Sequence, residues 1–176
     1  INKSEKSSSR LTVSPAGISV AKGAKLTIDN EPGQQGSIEV LNNTYADRSG
    51  AAIGGNGEQD AGIIHIKGGT VSATSASKGA AIGASVGKSV EEIRISGGDV
   101  TAKSSDGAGI GSGYGYAPGK TAITAEIEIH GGMITAYSSR GACIGSGNYS
   151  SSKVLIDGGT ICLDNRDIGY RNVAHI

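Results

Sequence analysis

Three tyrosines stand among small residues in two short stretches, Gly113-Tyr114-Gly115-Tyr116-Ala117-Pro118-Gly119 and Gly147-Asn148-Tyr149-Ser150. A tyrosine ring can lie against the apolar C–H face of a pyranose while its hydroxyl stays in water. The two stretches therefore read as a sugar platform of Tyr114, Tyr116 and Tyr149, with Asn148, Asp106 and Arg140 as polar groups that complete the contacts. Asp106 and Arg140 each stand directly before a Gly-Ala pair, so they are expected on one bend of consecutive repeats. The alternative is structural: the same tyrosines would cover a sheet edge and shield glycine backbone. Alanine substitution with a binding assay separates the two.

Charged residues offer a second kind of chemistry. Glu39, His65, Arg94, Glu128 and Leu155 are expected as one outward ladder, flanked by Glu92, Glu126 and Lys153 on one side. Lys67, Ser96, His130 and Asp157 flank it on the other. Paired carboxylates on adjacent strands suit Ca²⁺, or acid and base work on a glycan. Calcium rests on Glu92 facing Glu126, and no other cofactor is expected. The bland reading is a solvated face of interleaved charges, with pairs such as Arg94–Glu128 and Glu126–Lys153 contributing ~0.2–1 kcal/mol each.

Several further chemistries find no support. His65, His130 and His175 do not converge, and no Ser/His/Asp or Cys/His arrangement is apparent. Cys143 has no basic neighbour to lower its pKa. Alternation places both Cys143 and Cys162 outward on different faces of one coil, beyond disulfide reach, as two free thiols. The Gly-x-Gly phrases precede no helix and no Gly-Lys-Ser/Thr, so a phosphate loop is unsupported. Asn42-Asn43-Thr44 and Asn148-Tyr149-Ser150 match the glycosylation tripeptide. An ice-binding face would need an unbroken hydroxyl grid, which Lys103, Tyr137 and Asp164 interrupt.

The elements that position these residues come from a repeated grammar. Gly50-Ala51-Ala52-Ile53-Gly54 returns as Gly79-Ala80-Ala81-Ile82-Gly83, Gly107-Ala108-Gly109-Ile110-Gly111 and Gly141-Ala142-Cys143-Ile144-Gly145, with isoleucines 29, 28 and 34 residues apart. After each comes a β-branched run closed by a double glycine, as in Ile127-Glu128-Ile129-His130-Gly131-Gly132, and then a third stretch such as Val100-Thr101-Ala102. Self-similarity of this period marks a solenoid whose units bury apolar faces only by stacking. Three strands per repeat are expected. Ala51, Ile53, Ala108 and Ile110 point inward in the first, Ile64, Ile66, Ile127 and Ile129 in the second, and Val71, Ala73, Val100 and Ala102 in the third. The double glycine makes the sharp bend, since glycine tolerates positive φ. With no helix signal, the fold class is all-β, a right-handed parallel β-helix of about five three-strand coils.

Composition agrees. With 30 glycines and neither Phe nor Trp, the interior must be narrow and filled by Ala, Val and Ile. Sixteen basic and sixteen acidic residues cancel, which removes the drive toward nucleic acid or an anionic membrane. No apolar run approaches the ~20 residues of a membrane span. The 176 residues fit a single domain: 1–10 disordered or linker, 16–49 an opening coil, 50–169 the regular repeats and 170–176 an end cap. The chain opens on Ile1 without a signal peptide, which reads as a module of a larger protein, with neighbouring domains of the same polypeptide as partners.

The Gly-Ala-Gly-Ile-Gly phrase with Ile-x-Ile-x-Gly-Gly-x-Val-x-Ala after it, from about Ala16 to Gly169, resembles Gly-rich repeats of large secreted and wall-attached proteins of Gram-positive bacteria. Some of these are described as carbohydrate-binding domains with a polysaccharide-lyase-like β-helix. The resemblance implies an extracellular, secreted or cell-surface location and a glycan or polysaccharide partner. The Asp clusters and basic residues by which β-helix lyases bind calcium and abstract protons have no clear match here. Three functions follow as expectations: a non-catalytic carbohydrate-binding or adhesin module, a purely structural spacer or stalk, or a polysaccharide-active lyase or glycosidase.

Overall fold

The computed structural model describes residues 8–13, 17–31, 34–44, 49–115 and 125–164. Strand β1 (Ser8–Val13) precedes five coils. The first holds β2 (Ile18–Ser19), β3 (Lys25–Ile28) and β4 (Gln35–Asn42), and the second β5 (Ile53–Gly54), β6 (Ala61–Ile66) and β7 (Thr70–Ser75). The third holds β8 (Ile82–Gly83), β9 (Val90–Ile95) and β10 (Asp99–Ser104). In the fourth and fifth, β11 (Ile110–Gly111) and β13 (Ile144–Gly145) lead into long strands, β12 (Ala125–Ser138) and β14 (Lys153–Asp164), which run through the double-glycine bend.

The strands stack in three parallel columns, and like residues meet. Ile18, Ile53, Ile82, Ile110 and Ile144 form an unbroken ladder in the first column. Leu26, Ile64, Ile93, Ile127 and Val154 do so in the second. In the third, Leu11, Ile38, Val71, Val100, Ile134 and Ile161 align. The β-branched side chains suit this: each presents a stiff flat surface to its counterpart one coil away. Between the second coil and the fourth, the inward residues of all three columns are fully buried in one continuous core. The chain is thus an all-β, right-handed parallel β-helix, with the in/out pattern of its second and third columns as expected.

Three expectations need correction. Cys143 does not point outward: it is fully buried, a member of the core with Ala52 and Ala81, and its Sγ–H lies 3.2 Å from the Asp164 carbonyl oxygen. Alternation fails because only the Ile-Gly pair of each phrase is a strand. The residues before it bend, with the Ala51 N–H donating to the Gly55 carbonyl at 2.8 Å, so successive residues at 52 and 53 both face the interior. Glu39 does not belong to the second-column ladder. It pairs with Thr12 and Ser72 in the third column, and Thr27 takes its expected place beside His65. Finally, β1 adds a strand before the opening coil, laid parallel on β4.

Two glycines explain the punctuation. Gly132, second of its pair, has φ +92°, so the bend uses a conformation open to few other residues. Gly111 has φ +136°, and a Cβ there would collide with the Gly145 carbonyl oxygen of the next coil. The third column ends on a buried polar rung of Asn42, Ser75, Ser104 and Ser138 in register. The Ser138 hydroxyl donates to the Gly107 carbonyl at 2.7 Å and accepts the Gly141 N–H at 2.8 Å. This satisfies corner backbone groups that no ladder reaches.

Candidate functional site

The tyrosines are carried on loops that follow the short first-column strands. Tyr114 reaches back one coil: its N–H donates to the Lys78 carbonyl and its own carbonyl accepts the Gly87 N–H, both at 2.9 Å. The Gly115 N–H donates to the Asn148 carbonyl at 2.7 Å, locking the two tyrosine loops together. The rings of Tyr114 and Tyr149 meet edge to face, with centroids 5.7 Å apart and planes at 79°. Lys78 Nζ stands 6.0 Å from the Tyr114 ring centroid, within cation–π range. Tyr149 is 48% exposed, and its φ of +59° is the one left-handed non-glycine backbone among the described residues.

Asp106 and Arg140 do share a bend, joined by an ion pair of 3.2 Å. Each precedes a glycine, and Gly79, Gly107 and Gly141 stack, so Lys78, Asp106 and Arg140 form one corner column. Lys78 escaped the sequence reading, although it stands before its Gly-Ala pair just as Asp106 and Arg140 do. Asn148 is half-buried beside Tyr149. Tyr116 lies outside the described residues, as does the end cap. The site thus combines two aromatic rings, an ammonium and an exposed guanidinium on one corner.

The second-column face is a set of paired charges. His65 Nε2 lies 2.8 Å from Glu92, Arg94 3.5 Å from Glu128, and Lys153 2.7 Å from Glu126. Glu92 and Glu126, on which calcium rested, therefore each face a basic group. No grouping of three or more His, Cys, Asp or Glu suited to a metal occurs among the described residues. His130 sits between Glu128, at 3.2 Å, and Asp157, at 2.6 Å, and hydrogen bonding to these two raises its pKa, Glu128 foremost. Asp60 titrates lower than usual, chiefly because its carboxylate accepts the Ser89 N–H and secondarily through Lys22.

Both cysteines are free thiols, Cys143 buried and Cys162 exposed. Asn42, first residue of a glycosylation tripeptide, is 1% exposed, and its Nδ2 donates to the carbonyls of Gly50 and Ala51 at 3.1 and 3.0 Å. It is a structural corner residue, closed to modification in the folded chain.

A family model described as a beta helix repeat matches residues 64–86, 93–114 and 127–148. Each matched unit starts in the second column of one coil and ends in the loop after the first-column strand of the next. No curated protein and no solved structure matches the chain. These three stretches are β-helix repeats.

Proposed function

We propose that this chain is a non-catalytic glycan-binding or adhesion module of a larger secreted or cell-surface bacterial protein. It takes sugar along the corner formed by Tyr114, Tyr149 and Lys78. The observation that carries this reading is Tyr149, held half exposed on a left-handed backbone with its ring against Tyr114. A non-glycine residue rarely keeps positive φ, and where one does, the strain of roughly 1–3 kcal/mol concentrates at ligand sites. An exposed ring fixed by a neighbour offers stacking area at little entropic cost. Arg140, Asp106 and Lys78 supply charged donors and an acceptor for hydroxyls around a stacked pyranose.

Affinity electrophoresis through gels that contain soluble polysaccharides tests it. Retention on at least one polysaccharide should be lost in Tyr149→Ala and in Tyr114→Ala, with circular dichroism unchanged. Migration indifferent to every polysaccharide, or retention that survives both substitutions, would overturn the reading. The second reading, a spacer, draws on the unbroken isoleucine ladder and on outward charges that neutralise one another from coil to coil. Such a column is a rigid rod with or without a ligand.

A further inference from the structure

The second-column face changes character toward its N-terminal end. Lys25 on β3, His65 on β6, Lys67 just after it, Arg94 on β9 and Ser96 just beyond line a surface cleft of about 290 Å³. No carboxylate lines it. Among the described residues Lys25 and Lys67 have no ion-pair partner, although the chain as a whole is neutral. The nearby acids stand outside the cleft lining. Glu92 holds the imidazole of His65, Glu128 holds Arg94 from the C-terminal side, and Asp29 accepts the N–H of Asn30 at 2.9 Å.

We propose that this cleft binds a tetrahedral oxyanion, phosphate or sulfate, either free or as a sugar ester. The donors come from three successive coils spaced ~4.8 Å apart and from both sides of the His65–Arg94 rung, so an anion seated over that rung meets several of them. That geometry matches an anion with three or more outward oxygens better than a planar carboxylate. Arg94 supplies a rigid fork for two oxygens, and Lys25 and Lys67 supply point charges from opposite sides. The Ser96 hydroxyl adds a neutral donor. Because Glu92 and Glu128 hold His65 and Arg94 in place, part of the ordering cost is met before the ligand arrives. The cleft lies on a different column from the tyrosine corner, so it stands whether or not that corner binds glycan.

Chemical shifts of the backbone amides, followed at low ionic strength while sodium phosphate or sodium sulfate is added, test the proposal against sodium chloride at matched ionic strength. Saturable shifts at Lys67, Arg94 and Ser96 are expected with phosphate and sulfate but not chloride. Lys67→Gln and Arg94→Gln should each weaken binding by about tenfold, and Lys153→Gln, farther down the same face, should leave it unchanged. Glucose 6-phosphate separates the sources: tighter binding than inorganic phosphate identifies a sugar ester, and equal binding identifies the free anion. Shifts that chloride reproduces, or equal loss from Lys153→Gln and Lys67→Gln, would show only diffuse electrostatics and overturn the site.

Discussion

His130 Nδ1 lies 2.6 Å from Asp157 Oδ1, one coil away, so an imidazole bridges two turns of the helix. Its second nitrogen faces Glu128 at 3.2 Å. Both contacts favour the imidazolium and raise its pKa above the ordinary 6.5, against smaller opposing effects of desolvation and Arg94. A folded-state pKa above the unfolded one stabilises the native chain fully below the unfolded value, and that contribution fades as pH rises through the folded value. Urea unfolding from about pH 5.5 to about 8.5 should therefore show a declining contribution that His130→Gln removes. Identical pH slopes for the two proteins would refute it.

The isoleucine ladder predicts a sharp contrast between inside and outside. Ile110 is fully buried between Ile82 and Ile144. Ile110→Ala should cost ~2–5 kcal/mol by urea titration, whereas Thr101→Ala, on the outer side of β10, should cost under about 0.5 kcal/mol. Equal losses would mean that the inward and outward assignments are wrong.

The two thiols should differ in reactivity. Cys143 is closed off within the core and Cys162 is exposed on β14. An aromatic disulfide reagent should titrate one thiol quickly in the native protein and the second only on unfolding. Two fast thiols would contradict the burial of Cys143.

Gly132→Val places a β-branched residue at φ +92°, with its Cβ 2.8 Å from the Gly98 carbonyl oxygen. Strain at such a φ costs roughly 1–3 kcal/mol before any clash is counted, so the variant should unfold at markedly lower urea. A Gly132→Val protein as stable as the parent would show that the bend tolerates side chains.

How much of this was legible in the residues depends on which physical rule governs each stretch. The second and third columns were readable because Ile127-x-Ile129 and Val100-x-Ala102 lie in real strands, where side chains alternate strictly. Cys143 misled because its strand is only Ile144–Gly145, and a bend obeys no two-residue period. Glu39 misled because β4 carries the same apolar alternation as a second-column strand, and only the register with Val71 and Leu11 reveals its column. The Asp106–Arg140 pair and the joined tyrosine loops followed from matching positions across repeats. The same comparison holds Lys78 as well, and it holds the polar rung, because Asn42, Ser75, Ser104 and Ser138 each stand four residues beyond an inward Ile or Val. The basic cleft was not legible, since its lining comes from three coils and depends on where long flexible side chains come to rest.

The register in which like phrase sits on like phrase has a consequence for how such chains change over time. Copying one whole unit, for example the stretch from Ile53 to Ala81, would set new isoleucines against old ones and leave the interior contacts as they were. The rod would grow by one increment of ~4.8 Å, and its tyrosine corner would be carried outward unchanged. Reach is therefore a quantity that gene duplication can adjust in discrete steps without redesigning the interior.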